Sequence, residues 1–541
     1  MLFFYEDLRI DEDTKTLEIF FNFLNFRFKN SAVSVFQNLF GTHKFDIILR
    51  IMAKDNSTTY DHVIKYTGLF GGVQGITMLV SLIRNKLVAI LLGPEGIGLI
   101  NIFNNALKLI AHSTNFGLDF SAVKHMAEIA ESDNRKEIEH FACVIRTWSL
   151  AVGLFGMFIC MAFSNILCYW TFKNYDNATY FIILAPAVLF LAISGGELAI
   201  LKGTKALKTV AASSVLASVS TLLICIPIYY YIGLKGVVWS LLLTNAAVAL
   251  IQISFTRRIV PWHVSIFDKE TFNSGTPMLK LGIGYIIAGI FGQGADYIIR
   301  VLILRYGGLD DVGFYNSGYI MAVSYAQLVF IAIESDYFPR LSAAKDEIKR
   351  QNDTVNQQTE VCAILISPFL VLFVTVLPLI VVILFSAEFA NAVPIATCAS
   401  FYMFFKALTL PAAYLALAHG DSKMYMITEL IYDVLIAIII PLAFIQWGLM
   451  GAGFALSTAG LIDAVMIHTI YRQRYHFVFS FRLAYFYIIQ FCLLSSVVWA
   501  SFQSNLYMRY TIDAIAVIIS ACLSLRILIK ETTFLKRIHN S

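Results

Sequence analysis

The sequence predicts an all-α integral membrane protein of about fourteen transmembrane helices, arranged as two pseudo-symmetric six-helix lobes followed by two C-terminal helices. Three observations predict it: apolar runs long enough to cross a bilayer, basic residues gathered in alternate connections, and an internal repeat at one fixed spacing. The 541 residues are 58% hydrophobic and 14% charged, with a mean hydropathy of +0.72. A soluble domain carries roughly a quarter of its residues charged and could not hide this much apolar surface. The net charge of +4 carries no nucleic-acid signal, and no nucleic-acid partner is expected.

Mainly apolar runs of about 20 residues or more, enough to cross roughly 30 Å of hydrocarbon, lie near 67–92, 96–118, 142–168, 180–201, 209–232, 236–256 and 279–304. The series continues near 313–334, 360–386, 391–418, 425–446, 450–471, 483–502 and 511–529. An even number puts both termini on one side. The connections after even-numbered spans hold Lys124, Arg135, Lys136, Lys202, Lys205, Lys208, Arg257, Arg258, Lys269 and Lys280, and later Arg340, Lys345, Lys349, Arg350, Lys423, Arg472 and Arg474. The opposite connections offer Lys173, Lys235, Arg305 and Arg509. An imbalance of roughly four to one places the termini and the longer loops in the cytoplasm.

The repeat is carried by two glycine motifs. Gly93, Glu95, Gly98 and Asn101 correspond to Gly308, Asp310, Gly313 and Asn316, each pair 215 positions apart, and Gly233-Leu234-Lys235-Gly236 matches Gly448-Leu449-Met450-Gly451 at the same offset. Each copy holds six helices, so both insert in one orientation and are related by an axis along the membrane normal. The expected organisation is a cytoplasmic N-terminal extension over 1–62, an N-lobe over 63–258, a cytoplasmic linker over 259–277, a C-lobe over 278–474, and the last two helices with a basic tail (Lys530, Lys536, Arg537) over 475–541. The phenylalanine-rich extension is either an upstream addition of little consequence or an interfacial anchor. Its acidic start lacks the pattern of a signal peptide, which leaves targeting to the first transmembrane helix. The eight cysteines stand singly, mostly in apolar runs and without histidines at ligand spacing. They read as small apolar residues, with no metal or cofactor implied.

Polar residues inside spans cost free energy, on the order of 3 kcal/mol for a cation near the bilayer centre, and so point to a cavity or a partner. The first helix carries Gln74 and the triplet Arg84-Asn85-Lys86. Arg84 is too deep for easy escape and is expected to line a cavity, whereas Lys86 can snorkel to the surface. Asn101, Asn105, Lys108, His112 and Asn115 recur at spacings of four, three, four and three, which makes one polar stripe on the second helix. The stripe either faces water or forms interhelical hydrogen bonds. At the equivalent positions the second copy has Asn316, Ile320, Val323, Gln327 and Phe330, so the cationic surface is expected in the first lobe.

Further along, Asp296 and Arg300 are four apart on the seventh helix and can neutralise each other. Lys406 has no charged residue near it in sequence and ranks with Lys108 as a candidate binding cation. Arg146 and Glu197 are read as snorkelling at the cytoplasmic edge. Glu429 and Asp433 share a helix face and Asp463 sits in the twelfth helix. Asp296, Asp433 and Asp463 are the candidates for carrying a coupling proton or sodium ion, each open to a structural partner instead.

The stretch from Tyr66 to about Glu131, with GLFGGVQG, IRNKLVAILLGPEGIGLINIFNN and NFGLDFSAVKHMAE, resembles the bacterial O-antigen and enterobacterial-common-antigen type lipid-linked oligosaccharide flippases. These polysaccharide repeat-unit translocases belong to the multidrug/oligosaccharidyl-lipid/polysaccharide exporter superfamily. The six-plus-six-plus-two pattern extends the likeness over about residues 63–530. The resemblance implies two lobes around a V-shaped central cavity that opens to alternate sides, carrying an undecaprenyl-pyrophosphate oligosaccharide across the bacterial inner membrane. In that family, basic residues of the first and seventh helices line the cavity, which points here to Arg84 and Arg300. A pyrophosphate needs cationic hydrogen bonds in place of its hydration, and the polyprenyl tail can remain among membrane lipids.

The nearest rival reading is a cation-coupled multidrug exporter of the same superfamily, which would need mainly acidic groups; the deep Arg84 and Lys108 argue against it. A membrane polysaccharide polymerase or glycosyltransferase would need catalytic groups in an aqueous site, and the short outward loops hold few. No enzymatic activity is expected.

Overall fold

The computed structural model describes residues 59–132, 134–265 and 269–531. The readings of residues 1–58 and of Lys536 and Arg537 lie outside the described residues. The chain divides into two compact units, Met1–Leu69 and Phe70–Ser541, and the second holds both copies of the repeat. Among the described residues the regular structure is helical throughout. This follows from lipid as the solvent, since a helix satisfies its backbone hydrogen bonds within its own segment.

The first half contains α1 (Thr59–Thr114), α2 (Leu118–Ala130), α3 (Arg135–Ala162), α4 (Ser164–Phe172), α5 (Ala178–Gly203), α6 (Leu207–Ile232) and α7 (Gly236–Thr256). The second contains α8 (Lys269–Gly307), α9 (Leu309–Tyr319), α10 (Tyr325–Ala344), α11 (Ile348–Leu384), α12 (Ala392–Ala418) and α13 (Ser422–Tyr475). Then come α14 (Phe481–Ser501) and α15 (Leu506–Glu531). A π-helical turn, Ile320–Ser324, joins α9 to α10. Among the described residues nine stretches are long and apolar enough to cross a membrane, and three of them, 43 to 54 residues long, contain two predicted spans each. The two remaining predicted spans fall on α8 and on the α9–α10 pair. Large apolar side chains such as Leu79, Phe158, Leu250, Trp447 and Ile488 are exposed, while Ser149, Ser240, Gln252 and Gln490 are buried. That arrangement inverts a soluble domain and suits a lipid-facing surface.

The repeat is built into the backbone. Gly93 (φ 63°, ψ −167°) and Gly308 (φ 104°, ψ −179°) break their helices in nearly the same conformation, as do Gly233 (φ 66°, ψ −143°) and Gly448 (φ 62°, ψ −150°). Positive φ with extended ψ is a region that essentially glycine alone occupies, which explains why these four positions recur at the 215-residue offset.

At this glycine-turn end the halves meet through a reciprocal contact. A Cβ on Gly98 would overlap the Leu309 carbonyl oxygen, and one on Gly313 would overlap that of Pro94. Pro94 and Leu309 are themselves 215 apart, so each half presents the same glycine to the same backbone position of the other. Further contacts join the halves at this end. Lys86 donates to the Val382 carbonyl at 2.8 Å, so the side chain expected to snorkel is used between the halves. The hydroxyls of Thr171 and Tyr297 lie 2.6 Å apart, and Arg305 donates to the Trp170 carbonyl while its guanidinium lies 5.4 Å from the indole.

At the opposite, basic-loop end the sequence expectation for Arg146 and Glu197 is overturned. They form a fully buried pair, 2.8 Å apart at Nε and Oε1 with side chains 3% and 1% exposed. Arg146 also donates to the carbonyls of Pro261 and Val260, and Trp262 donates its indole N–H to Glu197. Burial is affordable because nearly every charged atom has a hydrogen-bond partner. The consequence is that residues 260–262 of the predicted linker are fixed to the first half. The predicted linker is non-helical over 261–265, and from Lys269 the chain is already α8. Met278 of α8 packs in an apolar cluster with Leu118, Met126, Phe141 and Ile200.

Candidate functional site

The predicted site residues fall into three groups. The first consists of Lys108 and His112, which are exposed on the second segment of α1. Lys108 has no ion-pair partner among the described residues, and the charges of Arg300 and Asp296 bear on it from α8. His112 faces the same helix: a Cβ on Gly289 would come 3.8 Å from its Nδ1. The glycines of α8, which include Gly289, Gly292 and Gly294, leave room beside this face of α1.

The remainder of the stripe is turned to its own backbone. Asn101 donates to the Ile97 carbonyl at 2.8 Å and Asn105 to the Asn101 carbonyl at 2.7 Å. Such local bonds satisfy polar groups in an apolar setting without a partner helix. The interhelical alternative considered for these two asparagines is therefore replaced by bonding within α1, and the open part of the stripe reduces to Lys108 and His112. Asn115 is buried, with its Oδ1 unpartnered among the described residues.

The second group is a set of charges in the second half. Arg300 is buried, pairs with Asp296 at 2.9 Å and donates to Asn316 Oδ1 at 3.3 Å. The four-residue spacing made the first contact legible; Asn316, the repeat partner of Asn101, supplies the other. Lys406, expected to stand alone, lies 3.6 Å from Asp463 and 5.4 Å from the Tyr432 ring centre. Its partner is 57 positions away in the chain, which is why local spacing did not reveal it. Asp463 thereby gains the structural partner left open for it.

Glu429 and Asp433 have no ion pair or hydrogen bond among the described residues, and both are half-buried on α13. The charges of Glu429, Asp296 and Lys406 all bear on Asp433, and a Cβ on Gly292 would come 3.4 Å from its Oδ2. The second half therefore gathers two cations and four carboxylates within electrostatic reach. Sequence reasoning missed the tyrosines of this region. Tyr315 and Tyr319 stack at 6.2 Å, Tyr402 and Tyr432 at 6.4 Å, and Arg300 lies 5.8 Å from the Tyr315 ring centre. The four-residue spacing of Tyr315 and Tyr319 was a usable signal, whereas the approach of Tyr402 to Tyr432 was not.

Arg84 and Gln74 form the third group and are not brought to these charges. Arg84 is half-buried without an ion pair among the described residues, and its charge bears on Cys225 and Tyr229 of α6. Gln74 is exposed. A cavity of about 490 Å³ beside α15 and another of about 580 Å³ at the basic-loop end lie elsewhere. They are shallow surface features, so the charge geometry is the better guide to the site. Among the described residues no group of histidine, cysteine or carboxylate side chains has the arrangement of a metal centre.

Solved structures share this bundle topology. The inward-facing conformation of a multidrug resistance MATE family transporter of the MOP superfamily is 14% identical with a TM-score of 0.63, covering 74% of this chain and 94% of that one. The lipid II flippase MurJ in an inward closed conformation is 14% identical with a TM-score of 0.64, covering 85% and 99%. A MOP superfamily transporter from Pyrococcus furiosus, described as having a binding pocket of reverse polarity that suggests a different function, is 14% identical with a TM-score of 0.51, covering 76% and 94%. Comparison with curated proteins gives no match. The profile of the family described as Polysaccharide biosynthesis protein matches residues 87–394, more than half of the chain. The protein belongs to that polysaccharide biosynthesis family and is a multi-pass membrane protein with a MATE-like transporter fold.

Proposed function

We propose that this protein is a flippase that moves a lipid-linked oligosaccharide, an undecaprenyl-pyrophosphate-borne polysaccharide repeat unit, across the bacterial inner membrane by alternating access. The two lobes are residues 63–258 and 278–474, with both termini in the cytoplasm. The observation that carries the reading is Lys108: an exposed ammonium without an ion-pair partner among the described residues, facing the Arg300–Asp296 pair across the two halves. An unpaired cation within an apolar helix is costly unless it meets water or an anion, and a pyrophosphate supplies the anion. Arg84 adds a second cation on the same half. His112 borders the path beside Lys108, and polar groups along it accept the sugars while the tail stays in lipid. Membership of the polysaccharide biosynthesis family supports a glycan cargo.

The half-buried Glu429 and Asp433, with Asp296 and Asp463 nearby, are the places where a proton or sodium ion would couple to transport. The same carboxylates favour the second reading, a cation-coupled multidrug exporter, which the MATE-like fold also accommodates. Reconstitution in vesicles with a fluorescent lipid-linked oligosaccharide separates the two. The flippase reading expects translocation that is lost in the Lys108→Ala, Arg84→Ala double variant. Translocation surviving in that variant removes the proposed site, and export of cationic dyes by the wild type in place of the lipid selects the exporter.

A further inference from the structure

The cavity of about 580 Å³ at the basic-loop end is lined by Lys345, Ile348, Gln351, His419, Gly420, Asp421, Arg474, Tyr475 and His476. Four of these nine are basic or imidazole side chains, and they come from three separate stretches of the second half. The lone carboxylate is already engaged, since Asp421 accepts from Arg474 and Tyr475 and caps α13 through the Met424 N–H. Lys345 has no ion pair among the described residues, and His476 is exposed.

Three amide side chains, of which Gln351 is buried, hold this cavity in shape. Gln351, 1% exposed, donates to the Tyr475 carbonyl at 3.0 Å, which fixes its amide so that Oε1 faces His419 Nε2 at 2.6 Å. His419 therefore donates from Nε2 to Gln351 and stacks on Tyr475 at 4.9 Å. Asn352 donates to the His476 carbonyl and accepts from the Val478 N–H. One turn further along α11, Asn356 donates to the Val478 carbonyl and accepts from the Ser480 N–H. The amides thus bind residues 475–480 much as a partner strand would and hold His476 in the left-handed conformation, φ 54°.

We propose that this cavity is a binding site for a phosphate group, separate from the transport path. Lys345 and His476 supply the donors, and Arg474 fixes the rim. The phosphate has two possible sources, an anionic phospholipid headgroup of the adjoining leaflet or a free phosphate. The exposed Ile348 on the rim, 52% accessible, gives an acyl chain a place to lie.

The test measures thermal stability of the full-length protein in nanodiscs of phosphatidylcholine, with either phosphatidylglycerol built in or inorganic phosphate added. A saturable rise in Tm, with the half-saturating concentration raised about fivefold or more in Lys345→Gln and unchanged in Lys349→Gln outside the cavity, supports the site. A rise with phosphatidylglycerol alone names the lipid as the source, and a rise with phosphate alone names the free anion. If Lys345→Gln fails to fold, His476→Asn serves in its place, because asparagine tolerates the left-handed conformation. Equal stabilisation of wild type and cavity variants by both anions, or no stabilisation by either, overturns the proposal.

Discussion

Lys108 of the first half and Lys406 of the second are lysines set within apolar helices, and their surroundings differ. Lys108 is exposed and has no ion-pair partner among the described residues, whereas Lys406 sits against Asp463 and the Tyr432 ring. The same contrast holds for Arg84 against Arg300, the latter tied to Asp296 and Asn316. Two copies that keep the same glycine turns have thus diverged in charge. The first keeps Lys108 and Arg84 without an ion pair among the described residues, and the second ties its cations to Asp296 and Asp463 and leaves Glu429 and Asp433 over. Backbone constraints preserve symmetry where a Cβ cannot be accommodated, while side chains facing the space between the halves are free to specialise.

The largest expected effect concerns a charge pair outside this contrast. Glu197→Ala would leave Arg146 buried without its carboxylate and cost about 3–5 kcal/mol, read as a loss of folded protein or a steep fall in Tm. The exposed Asp421–Arg474 pair provides the control, since Asp421→Asn should lower Tm far less.

Next comes the symmetry itself. Gly98→Leu and Gly313→Leu should each prevent the halves from closing at the glycine-turn end, and to a similar degree because the contact is reciprocal. Reactivity of single cysteines placed at this end toward a membrane-impermeant thiol reagent should rise several-fold in both. A response to one and not the other would mean that the halves are not equivalent at this contact. Gly72, around which a Cβ meets nothing, should accept alanine without change.

A smaller effect is expected from the second half's free carboxylates. Glu429→Gln with Asp433→Asn should flatten the dependence of transport on pH or sodium by several-fold while leaving headgroup binding near wild type. Loss of binding as large as that in Lys108 variants would place the headgroup in the second half and break the comparison.

The smallest effect is at Asp421. Partial burial pushes its carboxyl upward, but the hydrogen bonds from Arg474, Tyr475 and the Met424 amide outweigh that and hold it below the usual carboxylate range. A depressed folded-state value contributes stability above the unfolded value, about pH 4, which is lost as pH falls through the lowered one. Because the pair is solvent-exposed, the acid limb of a Tm profile should differ between wild type and Asp421→Asn by a few degrees at most.

The helices, their number and the repeat were legible because they depend on local apolar length and on glycine positions that the backbone demands. The stripe was legible through its periodicity, but which members faced outward was not: Asn101 and Asn105 could bond their own helix, whereas the ammonium of Lys108 does not. The Asp296–Arg300 pair lay one turn apart and could be read. The Arg146–Glu197 and Lys406–Asp463 pairs, 51 and 57 positions apart, depend on how helices cross, which periodicity does not encode. The helix α2 and the amides of Gln351, Asn352 and Asn356 went unread for a related reason. Short amphipathic segments and polar runs outside spans resemble ordinary loops until their partners are known.

The most direct measurement is the affinity of detergent-solubilised protein for undecaprenyl pyrophosphate in two variants, Lys108→Gln and Lys406→Gln, each checked for folding by Tm. The account predicts a loss of about tenfold or more for Lys108→Gln, in keeping with one charge-assisted contact, and a loss of less than about threefold for Lys406→Gln, whose ammonium is already held by Asp463. Equal losses, or the reverse order, would contradict it.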